Sequence, residues 1–158
     1  MDKDEFLRLA LDAETTLFHV SFSILHNEQD CADAVQEAIL KAYENRNKLK
    51  EIKYFKTWTV RIVINECYSI LRKKKRFQTY DDQVQKDYTY LSNYIKEEYI
   101  DLYQAIDRLG QKQKICVILY YLEDYAVAEI ANVLKIPIGT VKSRLNHARR
   151  ELKGLLGE

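Results

Sequence analysis

Residues 126–155 read AVAEIANVLKIPIGTVKSRLNHARRELKGL, and this stretch decides the fold. Over 126–134, Ile130, Ala131, Val133 and Leu134 are apolar at helical spacing. Residues 135–139, Lys-Ile-Pro-Ile-Gly, read as a tight connection. Pro137 fits the first turn of the next helix, where its missing N–H removes no bond. That helix carries Val141, Leu145, Ala148, Leu152 and Leu155, spaced 4, 3, 4 and 3, one stripe on a helical wheel. Ser143, Asn146, His147 and Arg150 point away from the stripe, and Lys142, Arg144, Arg149 and Lys153 flank it. Two helices, a short turn and a cationic outer face make a helix-turn-helix, whose second helix enters a major groove N-terminus first. An ordinary helical hairpin with a solvated basic face is the plainer alternative.

Upstream the chain reads as helix throughout. Residues 111–122 hold Ile115, Cys116, Val117, Ile118 and Leu119 in one nearly continuous apolar run, the buried centre of a C-terminal domain over 98–158. A helix over about 98–109 precedes it. Residues 77–97 carry no strong period and read as a linker. Residues 55–75 form a helix with Phe55, Trp58, Ile62, Cys67 or Ile70, and Leu71 assigned to its buried side. Arg61, Asn65, Tyr68, Arg72 and Lys73 fall toward the other side. Residues 44–54 read as a basic loop, and two further helices, over 4–25 and from about Asp30 to Tyr43, complete an N-terminal domain over 1–76. Asp30 is the expected cap of the second of these. The fold class is therefore all-α, two small helical domains joined by a linker.

Composition excludes much else. One Pro and four Gly in 158 residues are too few for an all-β chain of many turns. No GxGxxG or GxxxxGK[ST] phosphate loop is present. Three cysteines, without a CxxC, give neither a disulfide framework nor a zinc ribbon, which suits a reducing cytoplasm. The acidic start Met1-Asp2-Lys3-Asp4-Glu5 is unlike a secretory signal, and no apolar run is long enough to span a bilayer. The net charge of +1 conceals its distribution. Residues 1–39 carry 2 basic and 9 acidic side chains, 40–76 carry 12 and 3, 77–109 carry 3 and 7, and 135–153 carry 6 and 1. Two separated basic blocks, each on a helical pattern, point to a polyanion.

These residues resemble a known family. Glu129-Ile130-Ala131, residues 136–145, and Ala148-Arg149 resemble the DNA-binding C-terminal domain of sigma-70-family initiation factors. Asp33-Ala34-Val35-Gln36-Glu37 resembles that family's polymerase-binding helix. Phe55-Lys56-Thr57-Trp58, Arg61-Ile62, Asn65 and Leu71-Arg72-Lys73 resemble its promoter-melting helix. With two domains and a short linker, the chain is similar to the extracytoplasmic-function (ECF) group. The resemblance implies binding to core RNA polymerase through Asp33, Gln36 and Glu37. It implies recognition of the minus-ten element through Lys53, Lys56, Trp58, Arg61, Asn65, Tyr68, Arg72 and Lys73. It implies recognition of the minus-thirty-five element through Thr140, Lys142, Ser143, Arg144, His147 and Arg150. An opened strand needs cations along its backbone and aromatics on which to stack, and residues 44–76 supply both. For Phe55 and Trp58, core packing is the stronger reading of the residues alone.

The resemblance further implies promoter DNA and an anti-sigma factor as partners, no cofactor or metal, no small-molecule substrate, no direct membrane insertion, and no enzymatic activity. Cytoplasmic residence follows, with the protein held at the membrane where the anti-sigma factor is anchored there. The alternative is a stand-alone helix-turn-helix regulator that binds duplex DNA as a dimer. The sequence departs from the family pattern in places. Ala126 stands where Ser or Thr usually caps the first helix of the motif, which costs about 0.5–2 kcal/mol. Lys135 stands where Gly is usual in the turn, at about 1 kcal/mol if left-handed. His147 replaces a usual Arg.

Overall fold

The computed structural model describes residues 1–77 and 96–157. Internal contacts divide the chain into two compact units, Met1–Asp82 and Gln83–Glu158. The expected linker, 77–97, falls almost wholly outside the described residues. Among the described residues there is no strand, and the protein is all-α with two helical units.

The N-terminal unit is a bundle of three helices, α1 (Lys3–Leu25), α2 (Glu28–Glu44) and α3 (Phe55–Phe77). Asp2 caps α1, its carboxylate accepting from the Glu5 amide at 2.8 Å. α1 ends at His26, which is left-handed (φ 52°) and returns its N–H to the Phe22 carbonyl. Asn27 follows at once as the cap of α2, its side chain accepting from the Asp30 amide at 2.9 Å. The expected cap, Asp30, thus lies one turn inside the helix. Asn27 precedes it with an extended backbone and a side-chain acceptor, which is what a cap requires. Asp30 instead pairs with Lys74 near the end of α3.

The core is Phe6, Leu17 and Val20 from α1, small residues from α2, and Phe55, Val60, Val63, Ile64 and Cys67 from α3. The buried face of α2 (Cys31, Ala34, Val35, Ala38 and Ala42) is mostly alanine, which lets its neighbours approach closely. The Phe6 ring meets Phe55 edge-on at 5.6 Å and Tyr43 at 5.1 Å.

The buried stripe of α3 differs from the sequence expectation. Phe55 is buried, but Trp58 and Ile62 are only half-buried, and Thr59 is 1% exposed. The Thr59 hydroxyl donates back to the Phe55 carbonyl at 2.9 Å, so it enters the core already satisfied. Counting Thr59 as apolar rotates the stripe to Phe55, Thr59, Val63 and Cys67. The expected loop 44–54 also contains two short 3-10 turns, Arg46–Lys48 and Ile52–Tyr54.

The C-terminal unit contains α4 (Ile100–Asp107), α5 (Gln111–Val117), α6 (Val127–Leu134) and α7 (Ile138–Leu155). A 3-10 turn, Glu97–Tyr99, leads into α4, and a π-helical turn, Ile118–Leu122, continues α5. Its core joins Ile106, Leu109, Cys116, Val117, Ile118, Leu119, Ile130, Val141, Leu145 and Ala148. Within it, Lys114 Nζ donates to Asp107 Oδ1 at 2.7 Å, with side chains 10% and 3% exposed. That ion pair ties the middle of α5 to the end of α4.

Candidate nucleic-acid and polymerase surfaces

α6 and α7 form the helix-turn-helix. Ala126 offers α6 no side-chain acceptor, yet Glu129 Oε1 accepts from the Ala126 amide at 3.0 Å, so half of a capping box survives. α6 ends at Lys135, which is left-handed (φ 56°) without being glycine. Asp124, just before α6, is likewise left-handed (φ 58°). Pro137 stands one position earlier than expected. It caps α7 rather than opening it, and its carbonyl accepts from the Thr140 and Val141 amides at 3.0 and 3.2 Å.

Val141, Leu145 and Ala148 are fully buried, as the stripe predicts. Leu152 is half-buried, and Leu155 is exposed. Lys142, Ser143, His147 and Arg150 are exposed and Thr140 half-buried. His147 Nε2 lies 2.7 Å from Glu151 Oε1 one turn on, and with Arg150 they line a shallow hollow. Arg144 is different. It is half-buried and hydrogen-bonds the Cys116 thiol on α5. Burial raises that thiol's pKa, and the Arg144 charge and hydrogen bond pull against it.

The second basic region is concave. α2, the first 3-10 turn and α3 enclose a groove of about 340 Å³ lined by Lys41, Asn45, Lys48, Trp58, Arg61, Ile62, Asn65 and Glu66. Trp58, Arg61, Asn65, Tyr68 and Arg72 share the α3 face opposite Val63 and Cys67 by their spacing. The groove thus brings together Trp58, Arg61 and Asn65 of the residues expected at the minus-ten element. Lys53 lies outside it, paired with Glu51 at 3.4 Å and over the Tyr54 ring. Lys56, Arg72 and Lys73 are exposed elsewhere along the helix. The sequence pattern gave no sign of Lys41, Asn45 and Glu66. Lys41 pairs with Glu66, whose hydrogen bond raises the lysine's pKa. Their separation by 25 positions leaves no signal in the chain.

A third surface lies between α1 and α2. A groove of about 670 Å³ is lined by Glu14, Thr15, Phe18 and His19 from α1 and Ala32, Val35, Gln36 and Ile39 from α2. Asp33, Gln36 and Glu37 are all exposed. Asp33 accepts from the Gln29 amide group at 3.1 Å.

Residues 12–77 match the family described as Sigma-70 region 2, and residues 99–152 match Sigma-70, region 4. The RNA polymerase sigma factor SigV of Bacillus subtilis is 30% identical over 144 residues, 90% of this chain and 85% of the relative. The chain belongs to the sigma-70 family of RNA polymerase sigma factors. The ECF RNA polymerase sigma factor SigW of the same organism is 26% identical, covering 96% of this chain and 89% of the relative. Two solved structures share the sigma-factor fold. The sigma factor RpoE from Bartonella quintana, in complex with the anti-sigma factor NepR, has a TM-score of 0.74 at 24% identity over 98% of this chain and 96% of that one. CnrH, in complex with the cytosolic domain of CnrY, has a TM-score of 0.76 at 20% identity over 99% and 90%.

This sigma factor's two matched regions coincide with its two cationic surfaces. Among the described residues, no group of three or more His, Cys, Asp and Glu is placed to hold a metal ion. Among the same residues, no helix is long and apolar enough to cross a membrane.

Proposed function

We propose that the chain is a promoter-specificity subunit of the ECF group, binding core RNA polymerase and directing it to its own promoters. One observation carries the reading: each family region supplies a differently shaped cationic surface, in the order the family uses them. The domains divide the work, with 1–76 for polymerase and the minus-ten element, 77–97 as linker and 98–158 for the minus-thirty-five element. Asp33, Gln36 and Glu37 present acceptors for charge-assisted hydrogen bonds from basic residues of the polymerase. The α1–α2 groove beside them takes apolar side chains of the same partner.

The α2–α3 groove, with Trp58 on its wall and Arg61 and Asn65 beside it, suits one unstacked base and its phosphates. Arg72 and Lys73 continue the cationic track. On α7, Ser143, His147 and Arg150 face outward to base edges, while Thr140 and Lys142 suit the phosphates at the start of the helix. Arg144 now reads as a brace between α7 and α5 as much as a DNA contact. The protein acts by binding, without catalysis of its own, in the cytoplasm. An anti-sigma factor, the partner seen with RpoE, holds it inactive.

The test is co-elution of the full chain with bacterial core polymerase, followed by transcription from genomic fragments of the source organism and mapping of the start sites. A stoichiometric complex that initiates at a recurrent sequence pair is expected. A dimer that binds duplex DNA tightly without polymerase would establish the stand-alone regulator instead.

A further inference from the structure

Arg149, like Lys153, is an α7 cation that promoter recognition, as described above, leaves without a task. Lys142, Arg149 and Lys153, spaced 7 and 4, run along one flank of α7, with Asn146 at its outer edge. That flank lies between the buried stripe and the outward face of Ser143, His147 and Arg150. A side chain there points toward the wall of a groove rather than its floor. Arg149 is exposed, yet it is held in place. Its Nε donates to the Tyr121 hydroxyl at 2.6 Å, and its NH1 donates to Asn146 Oδ1 at 2.8 Å.

The Tyr120 and Tyr121 rings lie 5.9 and 5.7 Å from the guanidinium carbon and 4.8 Å from each other, edge-on. The π-helical turn Ile118–Leu122 carries both rings, and single π turns often mark functional positions.

The chemistry of these partners matters. Both hydrogen-bond acceptors are neutral, so the guanidinium is oriented without being neutralised. Three of its five N–H donors remain for a ligand, in the fork that matches a phosphate. The Tyr121 hydroxyl accepts from Arg149, which leaves its own hydrogen as a further donor. Tyr121 is 47% exposed, so an anion can reach both groups. Fixing the arginine beforehand removes part of the rotamer entropy lost on binding.

We propose that Arg149 is a phosphate clamp for the backbone of duplex DNA beside α7, and that Tyr121 is its positioning residue. This rests on the promoter-binding function proposed above. The clamp contacts no base, so it adds affinity on every promoter alike.

The test uses the full chain bound to core polymerase, on a duplex carrying a start site mapped as above, with the dissociation constant measured across a salt series. Arg149→Gln should reduce the log–log salt slope by about 0.9 and weaken binding about tenfold near ~0.1 M salt. Tyr121→Phe keeps the charge. It should leave the slope intact and weaken binding a few fold, equally on two unrelated promoters.

An unchanged slope in Arg149→Gln, with or without a lower melting temperature, would reduce the cluster to a pin between α5 and α7 and overturn the clamp. Lost co-elution with polymerase at unchanged DNA affinity would assign Arg149 to a protein carboxylate and overturn the clamp as well. Full affinity in Tyr121→Phe overturns the positioning role. If the wild-type complex initiates nowhere, the promoter function fails and the clamp falls with it, an outcome distinct from initiation with an unchanged slope.

Discussion

α3 and α7 are both long cationic helices, and they differ in what surrounds them. α3 is walled in by α2 and a 3-10 turn, so its polar face with Trp58, Arg61 and Asn65 looks into a groove of about 340 Å³. The polar face of α7, with Ser143, His147 and Arg150, stands clear of neighbours. A concave site suits something drawn out of a stack, and a convex helix suits insertion into an intact duplex. The two halves of promoter recognition proposed above follow from that difference in shape, since the charges themselves are alike.

The largest expected contrast is chemical. Burial pushes the Cys31 and Cys67 thiols, between α2 and α3, up to about 12 from 9.0. That suppresses their thiolate by about three powers of ten. Cys116 beside α7 is also raised by burial, with Arg144 drawing it back. All three thiols are 0% exposed, so maleimide labelling near pH 8 waits on local opening, and peptide mapping should find Cys116, the thiol drawn back by a neighbouring cation, ahead of Cys31 and Cys67. Equal rates would erase the contrast. The same shift makes the N-terminal unit sensitive to alkali. The folded state holds protons that the unfolded chain releases above about 9, so the stability from both thiols is intact below that pH and is lost as pH rises toward about 12. Unfolding of this unit by pH should begin in that window.

Next in size is the buried pair of the C-terminal unit. Asp107→Ala leaves the Lys114 ammonium buried without its carboxylate, at about 3–5 kcal/mol. A two-step thermal scan should lose the C-terminal transition and keep the N-terminal one. Loss of both transitions would mean that the two units do not unfold independently. Ile64→Ala, in the α3 core, should cost about 2–5 kcal/mol, and Ile62→Ala, at the groove, less than half as much. Equal costs would restore the stripe expected from sequence. The smallest effects are gains. Ala126→Ser completes the capping box of α6 and should add about 1 kcal/mol. Lys135→Gly relieves a left-handed lysine, against the entropy glycine brings to the unfolded chain, for a net gain of about 0.5 kcal/mol. Both are read as upward shifts of the C-terminal melting temperature.

The two helices are unequally legible in sequence. The buried stripe of α7 is plain because each of its core positions is aliphatic. In α3 the stripe passes through Thr59 and Cys67, and a polar letter at a core position conceals it until the back-bonded hydroxyl is seen. Trp58 misleads in the opposite sense. Its size suggests a core residue, whereas spacing sets it with Arg61 and Asn65. The cap of α2 is ambiguous because two capping residues, Asn27 and Asp30, stand one turn apart, and only backbone geometry separates them. The Lys41–Glu66 pair and the Arg149–Tyr121 contact join distant positions, for which periodicity carries no information.

The core of the C-terminal unit takes only three fully buried residues from α7: Val141, Leu145 and Ala148. Most of the remaining positions on that helix can change identity without disturbing a packed interior. The outward positions of α7 can therefore drift by single substitutions while each intermediate still folds, so the reading surface can evolve separately from the scaffold that holds it.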